Sequence, residues 1–136
     1  MSSPLIPVSW GELLDKITIL EIKTDRLHAP HARANAAREL ELLRQAATGL
    51  SGVAELSAAL LAVNTRLWRI EDQIREHEAA GDFGPGFVAL ARAIYRENDE
   101  RGRIKQAVNR KLYSALTEEK QYSRYEAFVR TGTASA

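Results

Sequence analysis

The chain has 136 residues, no cysteine, and 19 Lys and Arg against 18 Asp and Glu, a formal charge of +1. Without cysteine there is no disulfide framework and no thiol chemistry. The near-balance of interspersed charges argues against nucleic-acid binding, which relies on a basic excess or a basic face to neutralise phosphate. Residues 1–7 lack the basic start and apolar core of a signal peptide, and no apolar run approaches the roughly 20 residues of a membrane span. The expected location is therefore cytoplasmic, with no membrane insertion.

Ala, Leu, Glu, Arg and Lys dominate, and no period-2 run of β-branched or aromatic residues occurs, so the expected class is all-α. The first helix is expected over 9–27. Ser9 and Glu12 form an S-x-x-E capping box, in which the Ser9 hydroxyl accepts from the Glu12 amide and the Glu12 carboxylate reaches back to the Ser9 amide. Leu13, Ile17, Leu20 and Leu27 make its main stripe, and Trp10, Leu14, Ile19 and Ile22 widen it. A helix apolar over so much of its circumference suits either the centre of a bundle or a subunit interface, so a homodimer is expected. Pro30 stops this helix.

A second helix is expected over 32–47, with Ala36, Leu40 and Leu43 facing inward. Gly49 suits a helix end, and Ser51 suits the cap of the next helix. The third helix, over 53–79, carries the stripe Leu56, Leu60, Val63, Leu67, Ile70 and Ile74. Gly81 and Pro85 bracket the sharpest break, placing a fourth helix over 85–113. A short helix over 117–128 follows, with Tyr122, Tyr125 and Phe128 on one face that docks onto the rest, and then a flexible tail over 129–136. The expected architecture is one domain over 1–136, ordered from about 6 to 128. It is an antiparallel helical bundle of four long helices plus a short C-terminal helix.

The inward stripe of the fourth helix changes character part-way. Phe87, Ala91 and Ile94 give way to Asn98, Arg101, Lys105 and Asn109, with Gly102 beside them, a residue that costs about 1 kcal/mol against Ala in a helix interior. Asn64 and Glu71 interrupt the third helix in the same way, and Asp15, Lys16 and Lys23 border the stripe of the first. Together, Asp15, Lys16, Lys23, Asn64, Glu71, Asn98, Arg101, Lys105 and Asn109 make one candidate polar cluster. Such a cluster either binds an anionic small molecule or acts as a structural network that sets helix register. Arg101 has a second option, a local pair with Glu97 four residues earlier.

No metal site and no cofactor are expected. His28 and His31 share a loop but lack a third ligand at a diagnostic spacing. His77 sits where a cation suits a helix end. No P-loop, dinucleotide fingerprint or nucleophile elbow occurs.

Val8-Ser9-Trp10-Gly11-Glu12-Leu13-Leu14-Asp15-Lys16-Ile17-Thr18-Ile19-Leu20-Glu21-Ile22-Lys23 resembles the opening of a bacterial domain family of unknown function. Residues 63–72, 98–105 and 118–122 resemble it as well, so the likeness spans most of the chain. The resemblance implies no activity; it implies an association with proteins of cell-surface polysaccharide assembly. The first helix is also similar to that of small all-α chorismate mutases, which hold a dicarboxylate among basic residues between helices. In that setting Lys16, Lys23, Arg101, Lys105 and Glu71 would surround the ligand, and catalysis would come from positioning and electrostatics. The helix lengths and the turn over 81–86 depart from that family. The expected function is a non-catalytic interaction or accessory protein with a protein partner. The alternative is an anionic-metabolite binder or small all-α enzyme.

Overall fold

The computed structural model describes residues 2–113. Their regular structure is entirely helical: α1 (Trp10–Arg26), α2 (Pro30–Ala46), α3 (Ala54–Ala79) and α4 (Pro85–Lys111). The helix expected over 117–128, with its docking aromatic face, and the tail over 129–136 lie outside the described residues. No helix among the described residues is long and apolar enough to cross a membrane.

Local chemistry sets the helix ends. Ser9 caps α1, its Oγ accepting from the Glu12 amide at 3.1 Å. The reciprocal half of the expected capping box is not made, because the Glu12 carboxylate turns across to Lys105 of α4. Pro30 does not merely stop α1. It opens α2 two residues earlier than expected, in the first-turn position where a missing amide proton costs nothing. Ser51 is not the cap of α3; Val53 stands there, without a side-chain hydrogen bond. After α3, Gly81 takes a φ of +65°. The Gly81 amide donates to the Glu78 carbonyl at 3.1 Å and the Asp82 amide to the His77 carbonyl at 2.9 Å, closing the helix in a Schellman turn. His77 is half-buried, with Nδ1 3.2 Å from Asp82.

α1 packs on all three other helices, α2 packs on α1 alone, and α3 and α4 pair with each other. Of the two roles open to a broadly apolar first helix, α1 therefore takes the central one. Its breadth is used inside the chain: Leu13, Leu14, Ile17 and Leu20 join Leu40, Leu60, Val63, Leu67, Ile104 and Val108 in the core. Ala36 and Leu40 bury the inner face of α2, and the Glu21–Arg44 pair at 3.2 Å braces its outer edge. α3 and α4 run antiparallel, with Arg66 paired to Glu97 at 3.0 Å and His77 beside Gly86.

The core stops part-way along that pair. No residue from 68 to 101 is buried. Ile70 and Ile74, expected inside, are half-buried, as are Phe87, Ala91 and Ile94 from the first half of the α4 stripe. The spacing was right, but a helix face is buried only where another element covers it.

Candidate functional site

Two polar stripes meet at the centre of the fold. On α1, Gly11, Asp15 and Thr18 recur at i, i+4 and i+7, so they share one face. On α4, Arg101, Lys105 and Asn109 recur at i, i+4 and i+8. The helices run antiparallel, which sets Gly11 against Asn109 and Asp15 against Arg101.

Asp15 is the hub and is fully buried. Arg101 grips it with a planar fork, Nε to Oδ1 at 2.8 Å and Nη2 to Oδ2 at 2.5 Å. This bidentate geometry is the strongest pairing a guanidinium makes with a carboxylate. Asn64 of α3 donates through Nδ2 to Asp15 Oδ1 and to Thr18 Oγ1, both at 2.9 Å. Thr18 in turn donates to the Asp15 carbonyl at 2.8 Å. Burial by itself pushes the Asp15 pKa up. The hydrogen bonds from Arg101 and Asn64, with the charges of Arg101 and Lys105, outweigh it and hold the carboxyl below its ordinary range.

Lys105 is buried with its ammonium 2.9 Å from Glu12 and 3.9 Å from Asp15. Asn109, also buried, accepts the Gly11 amide proton on Oδ1 at 2.7 Å. That bond satisfies an amide in the first turn of α1 that the helix itself cannot pair. It also shows why residue 11 is glycine. A Cβ there would lie 2.5 Å from the Lys105 carbonyl oxygen and 2.9 Å from Asn109 Oδ1. At Gly11, α1 and α4 approach too closely for a side chain.

The nine residues expected in the cluster separate into three groups. Asp15, Asn64, Arg101, Lys105 and Asn109 come together, and Asn98 reaches Arg101 Nη1 at 3.4 Å. Glu71 is exposed, two turns along α3 from Asn64. Lys16 is exposed and Lys23 half-buried, with no ion pair among the described residues. They lie close to Asp15 in sequence but about a quarter-turn away around the helix. Glu12, Thr18 and Gly11 belong to the site and were not among the nine. Their signal was present, since Gly11, Asp15 and Thr18 repeat at helical spacing within an apolar helix. Arg101 takes the inward of its two options, and Glu97 pairs with Arg66 instead.

Beside the network lies a groove of about 420 Å³ between α1, α3 and α4. Ile19, Ile22, Leu67 and Trp68 give it an apolar floor, Asn64 and Arg101 join it to the network, and Glu71, Asp72 and Arg75 stand at its mouth. Among the described residues no group of three His, Asp or Glu is placed to hold a metal ion.

The fold and this site define an all-helical protein whose three packed helices are tied by a buried ion-pair network. The chain belongs to the family of unknown function DUF6165, whose family model matches residues 5–134. No curated protein and no solved structure matches it.

Proposed function

We propose that this protein is a non-catalytic helical interaction module, an accessory protein of the cytoplasm whose polar cluster locks the register of α1, α3 and α4. The observation that carries this reading is the pairing of charge. Half-buried Arg101 is matched to Asp15 and buried Lys105 to Glu12, so each of these two cations has an acid of the same chain against it. An anion-binding site gathers cations that its own acids do not neutralise. Asn109 Nδ2 is buried without an acceptor, but the charges are matched, and a network of matched charges holds helices in one alignment, the best-attested role of buried polar groups. What the network holds in shape is the groove, with an apolar floor and a polar rim suited to a protein partner. A bacterial setting in cell-surface polysaccharide assembly rests on the sequence resemblance alone. Since α1 is covered within the chain, a homodimer would have to form through another surface.

The test is a thermal-shift screen against sugar nucleotides, sugar phosphates and chorismate, run on the wild type and on Lys105→Met. The module reading expects no shift with any of them. Lys105→Met should fold and keep its stability within about 1 kcal/mol, because Glu12 is partly exposed and can be hydrated once its partner is gone. A metabolite at a hundred times its dissociation constant adds about 2.7 kcal/mol. A shift of that size, lost in Lys105→Met, would replace this reading with the anion-binding one.

A further inference from the structure

The face of α3 and α4 that α1 covers does not end where α1 stops covering it. Beyond Asn64 on α3 the same face continues through Trp68, Glu71 and Arg75. Beyond Arg101 on α4 it continues through Asn98, Ile94 and Phe87. None of these residues is buried. The groove lies at the start of this bare stretch. Its mouth carries Glu71, Asp72 and Arg75, all exposed and with no hydrogen bond or ion pair among the described residues. Toward the end that α1 covers, the charges are paired, Arg66 with Glu97, Arg101 with Asp15 and Lys105 with Glu12.

We propose that a second copy of this chain occupies the groove. α3 lies antiparallel to its counterpart about a two-fold axis near Gln73, with Glu71 facing the partner's Arg75. A two-fold interface must be self-complementary: whatever residue i meets, its counterpart meets in return. In antiparallel helices, positions at equal distances from the axis stand opposite each other. Glu71 and Arg75 are each two residues from Gln73, carry opposite charges and point to the groove side. The axis therefore creates two matched pairs from one acid and one base. Trp68 and the half-buried apolar residues of the hairpin are the apolar part of this contact, and a specific interface needs about 600–1,000 Å² from each copy. The inference rests on the interaction-module reading and names that module's partner.

Sedimentation velocity of the full chain at micromolar concentration tests it, with Glu71→Arg and Arg75→Glu as the variants. The wild type sediments as a dimer. Each reversal sets like charges opposite each other at two places and weakens self-association by at least about tenfold. An equimolar mixture of the two variants restores dimers, since every contact between unlike variants is again between opposite charges. That rescue also shows that both variants fold. A monomeric wild type overturns the proposal, as do a dimer indifferent to both reversals and a mixture that stays monomeric. None of these outcomes touches the module reading, which the metabolite screen decides separately.

Discussion

The two ends of the α3–α4 pair are built from similar residues and end up in different states. From Val53 to Leu67 and from Gly102 to Asn109, the pair is roofed by α1 and contains every buried residue of its two helices. From 68 to 101 the same helices carry Trp68, Ile70, Ile74, Phe87, Leu90 and Ile94, and none of them is buried. The difference is the cover and not the apolar pattern. A two-helix hairpin has too few neighbours to exclude water from both of its faces, whereas three helices enclose a core. The charged residues follow this line only in part, since Arg101 reaches into the network from the edge of the open stretch and Glu97 pairs with Arg66. At the roofed end the buried charges Asp15 and Lys105 are drawn into ion pairs, because an unpaired buried charge is costly. At the open end Glu71, Asp72 and Arg75 stay in water without a mate among the described residues.

The contrast can be broken hardest at Arg101. Arg101→Met leaves the buried Asp15 carboxylate without its fork and should cost about 3–5 kcal/mol in chemical denaturation. Adding Asp15→Leu should restore most of that loss, since an apolar pair has no charge to satisfy. If the double variant is no better than the single, the network does something other than pair its own charges.

Matched truncations compare the two ends directly. Leu60, with no exposed surface, should lose about 3 kcal/mol as Leu60→Ala. Half-buried Leu90 should lose only about 1 kcal/mol as Leu90→Ala, measured in the same denaturant series. Equal costs would mean that the open end is covered in solution, and a dependence of the Leu90→Ala cost on protein concentration would trace that cover to a second copy.

The smallest effect is the acid response. The Asp15 pKa is lower in the folded chain than in the unfolded one. The stability it contributes is therefore fully present above the unfolded value of about 3.9 and is lost as pH falls through the folded value. Asp15→Asn should be less stable than the wild type at neutral pH, and the gap should narrow below about pH 4. A gap that stays constant down to pH 2 would mean that Asp15 is not held as a carboxylate by Arg101.

The four described helices and most of their punctuation were legible in the chain. Ser9, Pro30, Gly81 and Pro85 act through hydrogen bonds and dihedral limits that span only a few residues, so their effects can be read locally. The apolar stripes were legible for the same reason, and so were the polar intrusions at Asp15, Asn64, Arg101, Lys105 and Asn109. Tertiary structure decided what those residues do. Whether Arg101 turned to Glu97 or to Asp15, and whether Glu12 closed a capping box or paired with Lys105, depended on which helix came alongside. That is a relation between residues some 90 apart in the chain. Lys16, Lys23 and Glu71 illustrate the same limit. Their distance along the chain from the cluster was right, but helix rotation placed the two lysines off its face. Glu71 kept the face and lay beyond the reach of α1. Gly11 was decided from both sides: local rules allow any residue in a first helical turn, and only the close approach of α4 excludes a side chain there.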